Sequence, residues 1–189
     1  MSQIAYSSVP AWARPDSDDA GQQGCPASPD LTGSSYLLVG VGDAGRAATA
    51  ELRGRLPDVP VTVVIADDAE SALSATQSAI AESTVGVRVA ICGPVGACLR
   101  LRGVAVAAGL EDDEITVTPC GTADIDVFCS HCGAVTSAVA AIDDVVTCTG
   151  CARNLLVYHH VSRRTGHYLG FMVDAETSNP SIVATSGRQ

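Results

Sequence analysis

Four cysteines in the last third of the chain have the types and the spacing for metal chemistry. Cys129 and Cys132 form one Cys-x-x-Cys pair, and after fifteen intervening residues Cys148 and Cys151 form a second. Each short loop turns tightly enough to point both of its sulfurs at one centre, and two facing loops supply four thiolates in a tetrahedron. We therefore predict that these four cysteines bind one zinc ion in a zinc-ribbon module.

The same four ligands also fit iron, which would make the module a rubredoxin-like electron carrier. The two pairs are closer together than in a rubredoxin, and the segment between them, 134–146, lacks aromatic residues. His159 and His160 are also of a metal-ligating type, but four cysteines already close the site. The pattern favours zinc and leaves the rubredoxin-like module as an alternative.

A second candidate site is the glycine pattern Gly40-x-Gly42-x-x-Gly45, which follows an apolar strand and opens a helix. In the dinucleotide fingerprint, such glycines permit a tight turn, let the backbone approach a pyrophosphate, and let the helix pack closely. Asp67 ends the next strand, where a carboxylate can bind ribose hydroxyls. The pattern indicates a pyridine-nucleotide site, although the Asp43 carboxylate inside the loop is unfavourable beside a phosphate. The alternative is that the glycines serve a tight turn that binds nothing.

The elements that position these residues alternate between strand and helix. Apolar runs predict buried strands, and the segments between them have helical composition. The predicted strands are 36–41, 61–66, 87–92 and 114–119, and the predicted helices are 46–56, 69–82 and 94–109. Buried strands joined by helices indicate a parallel sheet covered on both faces. The fold class predicted is therefore α/β, a small Rossmann-like parallel-sheet domain followed by the β zinc-ribbon module.

The predicted boundaries follow changes in composition. Residues 1–32 are rich in Ser, Pro, Asp and Gly, a composition that predicts a disordered arm. The Rossmann-like domain is predicted over 33–120, the zinc ribbon over 121–176 and a tail over 177–189. Within the ribbon, residues 127–129 lead into the first cysteine pair. Residues 154–162 and 167–173 are predicted to pair as antiparallel strands around a turn at 163–166.

Charge and hydropathy exclude several classes of function. The net charge is −10, all eleven basic residues are arginine, and mean hydropathy is +0.25. Nucleic-acid binding needs cationic contacts to phosphates, so an acidic chain with no basic segment argues against it. No apolar run approaches the ~20 residues of a membrane span, and residues 1–20 lack a secretory pattern. We expect a cytoplasmic protein in which Cys25, Cys92, Cys98 and Cys120 are free thiols.

Residues 87–117 resemble the end of the pyridine-nucleotide domain of ferredoxin-reductase-type flavoenzymes. The resemblance rests on a strand followed by Cys92-Gly93-Pro94, a helix ending in glycine, and an acidic turn into the last strand. It implies that Cys92, Gly93 and Pro94 lie near a bound nicotinamide. The chain has no flavin-binding barrel and no plant-type ferredoxin cysteines, so it looks like a relative of one domain only.

Residues 128–176 resemble the A subunit of bacterial dimethylamine monooxygenase, the DmmA-like family. Both cysteine pairs match, followed at fixed distances by Leu155, His160, Ser162, Arg163, Arg164, Gly166, Tyr168, Gly170 and Asp174-Ala175-Glu176. With the α/β part placed before it, the resemblance covers about 36–176.

The family resemblance implies one subunit of a hetero-oligomeric, NADPH-dependent oxidoreductase that converts dimethylamine to methylamine and formaldehyde. Its partners would be a haem-containing oxygenase subunit and a flavin/iron–sulfur reductase subunit, which would hold those cofactors. The chain itself would carry zinc, act mainly in structure and assembly, and have no monooxygenase activity alone. The alternative functions are a component that binds NADP(H) and an electron-transfer module.

The expected docking surface combines the arm with the segment after the cysteines. Arginine and aromatic side chains concentrate binding energy at interfaces, which favours Trp12, His160, Arg163, Arg164 and Tyr168. The alternatives are a loose tail around Trp12 and a surface turn whose arginines pair internally with Asp174 or Glu176.

Overall fold

The computed structural model describes residues 8–14 and 31–173. The tail 177–189, the closing Asp174-Ala175-Glu176, Cys25 and most of the arm lie outside these residues, so the predictions made for them stay predictions. Among the described cysteines, Cys92, Cys98 and Cys120 are free thiols, as expected.

The first half of the described chain alternates strand and helix. Its elements are β1 (Ser35–Val41), α1 (Gly42–Arg53), β2 (Val61–Ala66), α2 (Ala69–Ala81), β3 (Val87–Gly93), α3 (Val95–Ala107) and β4 (Ile115–Pro119). The strands form one sheet in the order β2-β1-β3-β4, and every neighbouring pair is parallel. The predicted parallel sheet is confirmed.

The sheet is covered on both faces because its strands alternate between two apolar cores. Leu37 and Val39 of β1 pack with residues of α2 and α3, whereas Tyr36 and Leu38 pack with Leu52 of α1. Helix α1 begins at Gly42 rather than at residue 46, because Gly42 takes a left-handed backbone (φ 68°) that lets the helix start directly after β1.

The second half is a five-stranded sheet reached through residues 120–124. Its strands are β5 (Ile125–Cys129), β6 (Val135–Ala138), β7 (Val145–Thr147), β8 (Asn154–Val161) and β9 (Tyr168–Met172), in the order β6-β5-β9-β8-β7. β8 and β9 pair antiparallel, as predicted, while β5 and β9 are parallel.

Helix α3 packs against the second sheet and its β8–β9 turn. A Cβ on Gly103 would lie 2.6 Å from the Arg164 carbonyl oxygen, and a Cβ on Gly166 would lie 2.5 Å from the Arg100 nitrogen. Only glycine allows the β8–β9 turn to approach the helix this closely. An ion pair between Arg100 Nε and Asp126 Oδ2, 3.4 Å apart, adds a polar link between the two halves.

Part of the predicted arm is packed against the body of the protein. The Ser8 hydroxyl accepts from the Val161 N–H (2.8 Å) and donates to the Val161 carbonyl (3.0 Å), and Val9 is 1% exposed. Residues Ala11–Ala13 form a 3₁₀ turn, and Trp12 contacts the cores of both sheets. Residues 8–14 are therefore ordered, unlike the disordered arm expected over 1–32, because their apolar side chains pack in a cleft between the two sheets.

In the described ranges, no helix combines the length and the apolar character needed to cross a bilayer.

Candidate metal centre

The four paired cysteines converge on one point. The Sγ atoms of Cys129, Cys132, Cys148 and Cys151 all lie within 4.8 Å of one another. The sulfur of Cys129 is 3.8 Å from that of Cys151, and the sulfur of Cys132 is 3.6 Å from that of Cys148. A tetrahedron with metal–sulfur bonds of about 2.3 Å has sulfurs about 3.8 Å apart, so the arrangement fits a four-thiolate metal site.

The two cysteine loops, 129–132 and 148–151, fold by the same backbone pattern. The N–H of Cys129 donates to the Ala134 carbonyl (2.8 Å), and the N–H of Gly133 donates back to Cys129 (2.9 Å). In the second loop, Cys148 donates to Arg153 and Ala152 donates to Cys148, both at 2.9 Å. The residue after each loop, Gly133 or Ala152, has a left-handed backbone with φ of 77° or 56°.

Gly150 lets the two cysteine loops lie close together because it has no side chain. A Cβ at this position would lie 2.6 Å from the Ala134 Cβ and 3.1 Å from the Cys132 sulfur. The Gly150 N–H also points at the Cys148 sulfur, 3.4 Å away. A side chain at position 150 would therefore push the first loop away.

A pair of threonines joins the second loop to β6, the strand that follows the first loop, and sequence reasoning missed it. The Thr149 N–H donates to Thr136 Oγ1 (3.0 Å), and the two hydroxyl oxygens lie 3.2 Å apart. Thr136 is 5% exposed, on the inner face of β6. The one signal available was a hydroxyl residue inside the second Cys-x-x-Cys loop, which is too common to single out.

Electrostatics around the sulfurs favour a bound cation. Backbone N–H groups, chiefly that of Cys151 and then that of Gly150, lower the pKa of Cys148, so this thiol ionises readily. The N–H of Ala134 lowers the pKa of Cys132, but desolvation and then hydrogen bonding with the three neighbouring sulfurs raise that pKa by more, so the net shift is upward. Four thiolates can share this space only when a positive ion neutralises them.

The centre lies between the core and the surface. Cys129 is 0% exposed and Cys148 is 2% exposed, and both belong to the core of the second sheet, whereas Cys132 is exposed. Cys129 ends β5, and Cys148 follows β7, on opposite sides of the central β9. A metal here would tie the two sides of the sheet together.

The glycine loop and the turn after β3 are neighbours at the carboxyl end of the parallel sheet. Gly40 is aligned with Cys92, and a Cβ on Gly45 would lie 2.5 Å from the Cys92 carbonyl oxygen. A Cβ on Gly40 would lie 2.7 Å from Thr49 Oγ1. Close packing thus explains Gly40 and Gly45, whereas a Cβ on Gly42 would meet nothing within 4 Å.

The other predicted nucleotide residues have partners within the protein. Asp67 pairs with Arg46 at 3.0 Å while staying largely exposed. The Cys92 side chain is 1% exposed in the core beneath α1, where burial raises its pKa to about 11. Pro94 caps α3 directly after Gly93 and lies 4.0 Å from a Cβ built on Gly121. The buried Cys92 side chain therefore presents no exposed sulfur at the carboxyl end of the sheet.

The predicted interface residues fall into two groups. His160, Arg163 and Arg164 are exposed, and Arg163 pairs with Asp112 of the first half at 3.0 Å. Tyr168, by contrast, is 3% exposed, and burial raises its pKa to about 12. Its position on β9 points inward, so it packs in the core where the sequence led us to expect a surface anchor.

Comparison with known proteins gives two matches. Residues 126–171 match the C-terminal domain described as "dimethylamine monooxygenase subunit DmmA-like". The delta subunit of a heme-dependent oxidative N-demethylase from Ectopseudomonas mendocina (strain ymp) is 35% identical over 163 residues, which cover 82% of this chain and 85% of the relative. No solved structure matches the chain significantly.

Proposed function

Since this chain belongs to the DmmA-like family of dimethylamine monooxygenase subunits, we propose that it is the zinc-bearing assembly subunit of a multicomponent oxidative N-demethylase. The observation that carries the proposal is the set of four sulfurs within 4.8 Å, which lies inside the matched C-terminal domain. The relative is named as one subunit of such an enzyme, which supports a role within a complex.

The donor set supports a structural role for the metal. Four thiolates leave zinc no open coordination position, and zinc has no redox chemistry, so the ion stabilises the fold rather than activating a substrate. Cys129 and Cys148 hold it from the core side, and Cys132 and Cys151 close it from the surface side. Iron in the same site is the rubredoxin-like alternative, which analysis of the bound metal separates from zinc.

Chemistry on the amine would take place on partner subunits. Oxidative N-demethylation needs oxygen activation and a route for electrons, which cofactors supply. We assign these tasks to a haem-containing oxygenase subunit and a flavin/iron–sulfur reductase subunit that uses NADPH, with dimethylamine as the substrate. This chain would hold those subunits together through a rigid two-sheet body.

A second candidate function is nucleotide binding by the parallel-sheet half, which we interpret as Rossmann-like. Gly42 favours it, because this glycine faces open space at the carboxyl end of β1, beside the turn at Gly93 and Pro94. Asp43 in the first turn of α1 opposes it, because a carboxylate there would repel phosphate.

The test of the assembly role is co-expression with and without this chain. The proposed haem and reductase subunits, co-expressed with this chain, are expected to copurify with it as one complex that contains one zinc per copy of this chain. Omitting the chain should dissociate the complex while each partner keeps its own cofactor. If the partners assemble and demethylate equally well without the chain, the proposed function is wrong.

A further inference from the structure

The outer face of the second sheet carries a continuous row of apolar side chains. Strand pairing aligns Phe128 with Val135 on one side and Leu169 on the other. It likewise aligns Leu156 with Phe171 and Val145. These six residues, which we call the apolar band, cross all five strands: Val135, Phe128, Leu169, Phe171, Leu156 and Val145.

The band is open to solvent. Phe128 and Val135 are each 40% exposed, Phe171 is 50% exposed and Val145 is 53% exposed. The inner face of the same sheet is already filled by Val9, Leu99 and the buried side of each strand. An antiparallel or mixed sheet with a single covered face normally presents polar residues on the other face, so an unbroken apolar row across all five strands is typical of a surface that binds a partner.

The band has almost no charge of its own. Asp126 lies beside it on β5, but its side chain is 12% exposed, pairs with Arg100 and accepts from the Ser137 hydroxyl. A groove of about 540 Å³ continues from Phe128, Val135 and Leu169 to the polar side chains of His160, Thr165 and His167. This end of the band adjoins the exposed turn at 163–166, which carries Arg163 and Arg164, in a chain of net charge −10.

The size of the band argues against a second copy of this chain as the occupant. Five strands about 4.8 Å apart and two outward residues along each give a face of roughly 300–400 Å². A stable interface buries about 800 Å² on each partner. Two identical twisted sheets stacked face to face would meet over little more than the band, and each chain would bring its charge of −10 to the contact.

We propose that the apolar band and the adjoining arginine turn form the docking surface for another subunit of the N-demethylase, whose matching surface has an apolar centre with carboxylates at one side. Such a partner reaches the required area by extending from the band onto the turn at 163–166. This inference rests on the proposed function, because it assigns the assembly role to one face of the molecule.

The decisive experiment places a photo-crosslinking residue in the band. Phe171→p-benzoylphenylalanine is introduced into the chain within the purified, co-expressed complex, which is then irradiated and digested for mass spectrometry. We expect cross-links to apolar peptides of another subunit that contain Asp or Glu. The matched control is Val85→p-benzoylphenylalanine, at an exposed apolar position outside the band (102% exposed), which should give at least tenfold fewer cross-links.

Substitution gives an independent measurement on the same face. The double variant Phe128→Ser with Phe171→Ser should weaken the affinity for the partners by about a hundredfold, because buried aromatic anchors dominate interface energy. Val85→Ser should leave the affinity unchanged. Metal content and melting temperature of the variant chain show whether it is folded.

The possible results separate the two proposals. Cross-links to a second copy, cross-links to residues 174–189 of the same chain, or no cross-link in an intact complex would each overturn the docking surface and leave the assembly role standing. If the native chain fails to copurify with the other subunits at all, both proposals fail.

Discussion

Thr149 donates its backbone N–H to Oγ1 of Thr136 at 3.0 Å, which ties the second cysteine loop to the strand that leaves the first. Thr149 lies inside the second cysteine loop, and Thr136 lies on β6 directly after the first loop, where it is 5% exposed. The bond therefore holds the two loops at the separation that a tetrahedral site needs, independently of the metal.

Removing the Thr136 hydroxyl should loosen this connection. Thr136→Val leaves the Thr149 N–H without its acceptor in a partly buried place, at a cost of about 1–3 kcal/mol. We expect a lower free energy of unfolding and faster loss of metal to a chelator. Thr147→Val is the control, since the exposed Thr147 hydroxyl donates only to Asn154 on the neighbouring strand. Equal chelation rates in both variants would contradict the role given to Thr136.

The metal itself should account for much of the stability of the second sheet. Cys148→Ser removes one of the two buried sulfurs, so we expect loss of the single zinc and unfolding of β5 to β9, because binding energy at such a site is folding energy. Elemental analysis and circular dichroism are the measurements. Cys120→Ser, at a half-buried free thiol outside the centre, should retain the metal. One iron per chain with a visible absorption band would favour the rubredoxin-like alternative.

Close backbone contact should make Gly166 intolerant of any side chain. Gly166→Ala places a Cβ 2.5 Å from the Arg100 nitrogen at a residue with φ of 74°, so the β8–β9 turn must leave α3. Overpacking of this kind costs about 1–3 kcal/mol, in addition to the strain of a left-handed alanine. Gly54→Ala, at an ordinary backbone angle with its nearest contact at 3.4 Å, is the control. Thermal unfolding of the two variants gives the comparison.

The sequence was most informative where one local pattern determines one local structure. The cysteine spacing predicts the convergence of four sulfurs, and the apolar run of β1 predicts a strand buried on both faces. It was least informative where the outcome depends on contacts between distant segments. Tyr168 is a residue type common at interfaces, but it faces inward on β9. Trp12 lies in a segment whose composition predicts disorder, yet it packs in a cleft between the two sheets. Neither the register of β9 nor that cleft can be read from neighbouring residues.

Nucleotide binding at the glycine loop is testable through a single carboxylate. If NADPH binds at Gly42, Asp43→Asn should tighten binding severalfold, because the substitution removes a negative charge from the first turn of α1. Calorimetric titration of the native chain and the variant, up to millimolar NADPH, measures this. Gly54→Asn, at the other end of the helix, should change nothing. Absence of heat with both chains would leave the parallel sheet as a scaffold.

The two arginines of the β8–β9 turn should differ in what they contribute. Arg163 already pairs with Asp112, and both side chains are about half exposed, so this pair is worth at most about 1 kcal/mol to folding. Replacing Arg163 and Arg164 together with alanine should therefore leave zinc content unchanged and weaken assembly, because the partner loses its cationic contacts. Arg164→Ala alone should give most of the loss, and the loss should shrink at high salt. Size-exclusion chromatography of the co-expressed subunits measures the assembled fraction, with Arg55→Ala as a control on the opposite half of the chain. Normal assembly of the double variant together with loss of demethylation would instead give the arginines a catalytic or electron-transfer role.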